Sequence, residues 1–196
     1  MLTPDLTGIL AFLRAAERLK TTTRTAFTSD GRRESVAEHT WRLCLMALVL
    51  GRRFPEVNLE KLLAICVIHD LGEAIGGDVS APEQARRRRV DPAAEKAPGE
   101  RRDLETLLAP LPAAIGAEIA ALWDEYEAAA TPEALLAKAL DKLETILQHT
   151  QGDNPPGFDY RFNLGYGTEY TAGNPVLAAL REELDRETER RAGDSP

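Results

Sequence analysis

The sequence predicts an all-α protein. Three observations carry this. Helix-start signals recur: Thr3-Pro4, Asp91-Pro92, Thr131-Pro132 and Asn174-Pro175 each place a capping side chain before a proline at the first helical position. Apolar residues between these signals recur at helical spacing, as Leu136, Leu140, Leu143 and Leu147 do. No segment alternates polar and apolar residues for long enough to read as a strand.

In chain order, Thr3-Pro4 opens a helix over 4–20. Ser35 and Glu38 form a capping box, each satisfying a backbone N–H of the other's turn, and open a helix over 36–52. Asn58 caps a third over 59–71. Residues 72–99 hold Gly72, Gly76, Gly77, Pro82, Pro92, Pro98 and Gly99 around an arginine run, Arg86–Arg89, and are not helical as a whole. Helices follow over 100–109, 112–129 and 132–150. Residues 151–174, rich in Gly, Pro, Asn and aromatics, read as a long ordered loop before a helix over 175–190. With no internal repeat and no low-complexity linker, residues 1–190 are one domain and 191–196 a frayed tail.

The 196 residues are 43% hydrophobic and 29% charged, a globular balance. Lys and Arg number 24 against 32 Asp and Glu, a net charge of −8. That excludes a general nucleic-acid surface, whose affinity comes mostly from neutralising phosphates. It leaves room for a small phosphorylated ligand in a local cationic pocket. No apolar run reaches the roughly 18–20 residues of a membrane helix, and MLTPDLTGILAF lacks the features of a signal peptide. Cys44 and Cys66 sit in apolar stretches and are expected as buried free thiols, which suits a cytoplasmic protein.

Chemistry concentrates where polar groups fall on apolar helical faces. On the helix over 59–71, Asp70 falls between Leu63 and Cys66, and His69 between Leu62 and Ile65. A carboxylate there is costly unless it is paired or metal-bound. A buried salt bridge with a structural histidine is one reading; a metal site is the other. His39 lies between Leu43 and Met46 on another apolar helix, and imidazoles with a carboxylate are ligands for divalent metals. Glu73 follows His69 by four residues and extends the same face if the helix persists past Gly72. Gly76 and Gly77 allow a sharp turn that returns Asp78 to the same place. By periodicity alone Asp141 is a solvated surface aspartate, and His149 is structural or solvated. Trp41, Trp123 and Tyr126 are expected in the core or an interface, and the arginine run on a solvated face.

RESVAEHTWR, VIHDLGEAIGGDVSAP, LWDEYE and KALDKLETILQ together resemble the HD-domain metal-dependent phosphohydrolases, and most closely the compact HD-domain 5′-deoxynucleotidases of bacteria and eukaryotes. The resemblance runs from about residue 9 to residue 150. It implies a compact multi-helix bundle with a metal site between helices, and one divalent ion (Co²⁺, Mn²⁺, Mg²⁺, Zn²⁺ or Fe²⁺) held by His39, His69, Asp70 and Asp141. For Asp141 this overrides the periodicity. It implies that Glu73 and Asp78 act on water or the leaving group and that Arg24, in KTTTRTAF, holds the substrate phosphate. The family often has a tryptophan close to that arginine; here the nearest aromatic is Phe27. With only His149 to spare, a single-metal site is favoured over the second metal of the di-iron and cyclic-dinucleotide branches.

The expected activity is hydrolysis of deoxynucleoside 5′-monophosphates by a soluble homodimer, with a small nucleotide as substrate and neither a nucleic-acid polymer nor a membrane as partner. A rival is an HD phosphohydrolase acting on ppGpp-like or nucleoside triphosphate substrates. It would need further cations by the pocket, and outside the arginine run the sequence offers Arg24, Lys96 and Lys142. A non-catalytic partner-binding HD domain would be expected to lose metal ligands, and this chain keeps all four and Glu73.

Overall fold

Thr3 caps the first helix, α1 (Pro4–Ala16), its hydroxyl accepting from the Leu6 N–H at 3.4 Å; a 3-10 turn, Glu17–Lys20, completes the run expected over 4–20. The computed structural model describes residues 3–83, 86 and 98–193. Next comes an element the sequence reading lacks, an antiparallel hairpin of β1 (Thr23–Phe27) and β2 (Arg33–Ser35), with Thr23 opposite Ser35 and Phe27 opposite Arg33. Its strands are five and three residues long and the register shifts between them, so no run of alternation exists to be read.

The hairpin is locked to the helix behind it. Ser35 N-caps α2 (Val36–Leu50), the capping box with Glu38 is complete, and Arg32 from the turn donates to both Glu38 carboxylate oxygens. A 3-10 turn, Gly51–Arg53, extends α2 to its expected end. Asn58 caps α3 (Leu59–Ile68), accepting from Lys61 N–H at 3.1 Å. α3 stops three residues before the expected boundary. Beyond Ile68 the chain tightens: the N–H groups of Leu71, Glu73, Ala74 and Ile75 each donate to the carbonyl three residues back, leading into a single turn, α4 (Glu73–Gly76).

The remaining helices are α5 (Pro98–Leu108), α6 (Ala113–Ala128), α7 (Pro132–Gln151), the one-turn α8 (Thr168–Thr171) and α9 (Pro175–Gly193). The loop expected over 151–174 carries α8 and a 3-10 segment, Tyr160–Gly165. α9 runs into the expected tail as far as Gly193, with Arg191 donating to the Gly152 carbonyl. The Asp91-Pro92 signal and Arg87–Arg89 lie outside the described residues; Arg86 is exposed and pairs with Glu83 at 2.7 Å.

Two apolar clusters hold the bundle. One joins α2, α3, α6, α7 and α9 through Leu43, Leu62, Ile65, Tyr126, Leu140, Leu143 and Leu177. The other gathers Val36, Ile68, Leu71, Leu104, Leu107 and Trp123. Each fully buried leucine contributes about 1.5–3 kcal/mol of transfer free energy. α7 is the central helix, with 15 of its 20 residues buried, so it has no single core face. Val36 belongs to one cluster and Leu43 to the other, with His39 between them on α2. Of the aromatics expected in the core or an interface, Trp123 and Tyr126 are in the core, whereas Trp41 is not and stands 66% exposed on α2. Both cysteines are free thiols, Cys66 buried as expected and Cys44 only half-buried. Among the described residues no helix is long and apolar enough to cross a membrane.

Candidate active site

α2, the end of α3 and α7 bring His39, His69, Asp70 and Asp141 together. His39 is fully buried one turn into α2. His39 Nδ1 donates to Glu144 Oε2 on α7, and this turns its Nε2 toward the centre of the site. His69, just past the last turn of α3, does the same by another route: Nδ1 donates to the Cys66 carbonyl at 2.8 Å. The His69 carbonyl in turn accepts from Trp123 Nε1 at 3.1 Å, which fixes the backbone under the ring.

Both Nε2 atoms are buried without a hydrogen-bond partner. They face carboxylates. His69 Nε2 is 2.9 Å from Asp70 Oδ2, and His39 Nε2 is 3.8 Å from that same oxygen and 3.2 Å from Asp141 Oδ1. Donor atoms of His39, His69 and Asp70 all lie within 4.8 Å of one another. Two imidazole nitrogens and two carboxylates, pre-oriented and otherwise unsatisfied, fit a divalent cation. The electrostatics agree. Burial and Arg24 press the His39 pKa down, but Glu144 and Asp141 outweigh them and lift it to about 9. Burial alone would raise Asp70 and Asp141. His69 and His39 hold Asp70 below the usual carboxylate range, and Lys142 with His39 holds Asp141 there. The site favours positive charge at its centre.

Asp141 is thus 6% exposed and not a surface aspartate. The periodicity assumed one buried face, whereas α7 is enclosed on nearly all sides. Its Oδ2 accepts from Tyr126 at 2.9 Å and Lys142 at 2.7 Å, so Oδ1 is the oxygen turned toward His39. Glu144, Tyr126 and Lys142 are the supporting groups; sequence reasoning did not single out Glu144, expected Tyr126 in the core or an interface, and named Lys142 only as a possible cation by the pocket. Glu144 had a legible signal: it lies about 40° from Leu140 around the helix, a carboxylate at the margin of the leucine stripe. Glu34, His39 and Glu144 also have donor atoms close together. That cluster is an ion-pair network: Arg24 and Arg42 face its carboxylates, and His39 Nδ1 is already hydrogen-bonded.

Glu73 heads α4, buried, with Oε2 lacking a partner. Burial first, then Asp70 and Asp78, push its pKa up to about 10. Gly77, at φ +79°, makes the turn that brings Asp78 back within electrostatic reach of Arg24 and Asp70; burial raises the Asp78 pKa too. Arg24 reaches in from β1, with Nη1 3.8 Å from Asp70 Oδ2. All seven residues expected at the site therefore converge on one region. His149 is apart from it, buried against Phe158 with Nδ1 donating to Asn163 Oδ1 at 2.7 Å, a structural histidine.

Comparison with known proteins gives the class. The family model described as HD domain matches residues 16–180, and the chain belongs to the HD-domain family. Within it, the chain is 33% identical over 193 residues to the mouse (Mus musculus) 5′-deoxynucleotidase HDDC2, covering 94% of this chain and 89% of that protein. It is 36% identical over 147 residues to the Schizosaccharomyces pombe 5′-deoxynucleotidase hdd1, covering 72% and 70% of the two. The crystal structure of a predicted metal-dependent phosphohydrolase from Magnetospirillum magnetotacticum superposes with a TM-score of 0.79 at 28% identity, covering 99% of this chain and 100% of that one.

Proposed function

We propose that this HD-family hydrolase is a metal-dependent 5′-deoxynucleotidase, converting deoxynucleoside 5′-monophosphates to deoxynucleoside and phosphate, with His39, His69, Asp70 and Asp141 holding one divalent cation. The observation that carries the reading is the pair of buried, unpartnered Nε2 atoms facing two carboxylates. Such a cation, when bound, lowers the pKa of water and offsets phosphate charge. The rest falls to the chain's own groups. Arg24 offers planar donors to the phosphate oxygens and sets the phosphorus beside Asp70. The departing 5′ oxygen would leave as a poor alkoxide, so it needs a proton. Glu73, whose pKa is pushed up to about 10, and Asp78 are the two groups that move protons: one gives a proton to the 5′ oxygen and the other takes the proton the attacking water gives up. Burial of His39, His69 and Tyr126 keeps bulk water from the inner wall.

The reading includes a cytoplasmic homodimer and a mid-series ion suited to mixed nitrogen and oxygen ligands. A phosphate-release screen over nucleoside mono-, di- and triphosphates, repeated with Co²⁺, Mn²⁺, Mg²⁺, Zn²⁺ and Fe²⁺, tests it. Release from deoxynucleoside 5′-monophosphates should exceed that from ribonucleotides and 3′-monophosphates. Dominant turnover of ppGpp, or release of triphosphate from deoxynucleoside triphosphates, would place the protein in another branch of the family.

A further inference from the structure

We propose that Glu34 is a positioning residue for phosphate recognition, aiming the Arg24 guanidinium from behind. The inference rests on the reading of Arg24 as the phosphate ligand. The hairpin that sequence reasoning missed is what makes the pair: Arg24 stands on β1 and Glu34 on β2. Glu34 is 2% exposed, with Oε2 3.4 Å from Arg24 Nε. On another edge, Arg24 Nη2 donates to Thr145 Oγ1 on α7 at 3.0 Å. One guanidinium nitrogen, Nη2, is thus hydrogen-bonded by the protein; Nε meets Glu34 Oε2 as an ion-pair contact in which neither buried atom has a hydrogen-bond partner, and Nη1 faces the site beside Asp70.

A rigid fork recognises phosphate well only when its plane is fixed beforehand. Glu34 is itself held. Its Oε1 lies 3.9 Å from Arg42 Nη2, and Arg42 Nε donates to Glu144 Oε1 at 2.6 Å. Glu144 is the group that orients His39. Charges alternate along Arg24, Glu34, Arg42 and Glu144, so the phosphate-binding arginine and a metal-facing histidine share one buried frame. Without the Glu34 charge, Arg24 is left between Glu144 on the protein side and Asp70, 3.8 Å from Nη1, on the site side, and its plane is no longer fixed by a carboxylate at Nε.

A double-mutant cycle tests this on the metal-loaded protein. Burial, then Glu144, push the Glu34 pKa up to about 7, so the cycle is read at pH about 8.5, above that value, where the carboxylate is ionised. Glu34→Gln keeps the shape and removes that charge. It should raise KM for the nucleotide and the Ki of inorganic phosphate about tenfold, the worth of one charge-assisted contact. kcat and the affinity for the metal should stay near wild type. In an Arg24→Met background, Glu34→Gln should change neither KM nor Ki further. Glu34→Asp, which keeps the charge and retracts it, should fall between, and it carries the same cycle if Glu34→Gln does not fold. An equal effect of Glu34→Gln with and without Arg24 overturns the proposal, as does an unchanged KM where Arg24→Met raises it. If Arg24→Met itself leaves KM and Ki unchanged, the phosphate role of Arg24 fails and the inference falls with it.

Discussion

Replacing Glu144 by Gln should weaken metal binding without touching a metal ligand. The carboxylate is fully buried and accepts two hydrogen bonds, from His39 Nδ1 on one oxygen and Arg42 Nε at 2.6 Å on the other. An amide has one acceptor and one donor end. If its oxygen faces Arg42, its NH₂ faces His39 Nδ1. The imidazole must then accept there and carry its proton on Nε2, the atom turned toward Asp70 and Asp141. If the oxygen faces His39, the NH₂ meets the Arg42 cation. One charge-assisted hydrogen bond is lost either way, about 1.5–3 kcal/mol. For a domain of this size that lowers the metal-free melting temperature by about 3–12 °C. Loss of the outer partner of a ligand histidine typically costs about 10–100-fold in metal affinity. Competition against a chromophoric chelator reads the affinity, and calorimetry with and without metal reads the stability. A Glu144→Gln variant that binds metal as tightly as wild type would refute the claim that Glu144 sets the His39 tautomer.

Three further outcomes are expected. Glu73→Ala should retain metal and fold while turnover drops by about 10²–10⁴, whereas Asp70→Ala should lose metal and its stabilisation; metal content, melting temperature and phosphate release on both variants separate the roles. Burial depresses the His149 pKa below its ordinary value against the partial opposition of Asn163. At pH above about 6.5 His149 is then neutral in both states, and as pH falls the unfolded chain takes up a proton the folded one refuses, so up to about 1.4 kcal/mol of stability is lost per pH unit. Urea melts between pH 8 and 5.5 should show a shallower decline for His149→Asn, and parallel curves would remove His149 from the acid response. Gly167→Ala puts a methyl 2.5 Å from Lys142 Cβ at a backbone φ of +70°. It should destabilise by about 2–4 kcal/mol through crowding and strain, seen as a lower urea midpoint.

Most helices were legible because their starts are chemical events. Thr3, Ser35, Asn58 and Thr131 each make the capping hydrogen bond that their sequence position implies. The β1–β2 hairpin was not legible, since its strands are too short to show a period and the register shifts between them. His39, His69 and Asp70 stood out because polar groups on apolar faces need an explanation. Asp141 did not, because a helix buried all round has no face against which to be anomalous; only the resemblance assigned it to the site. Glu34, Arg42 and Tyr126 are ordinary residues in sequence. Their part arises from contacts across 102 residues for Arg42 with Glu144, and 15 for Tyr126 with Asp141.

The donor atoms facing one another at the centre come from three separate stretches of chain, with His39 and Glu144 105 residues apart. No fragment that folds early contains the set. A ribosome must release the whole of α7 before that helix can dock on α2, and until it docks Asp141 and the support for His39 are both missing. A cation site built from these residues would therefore form only after α7 has docked on α2, and not on any shorter piece of the chain.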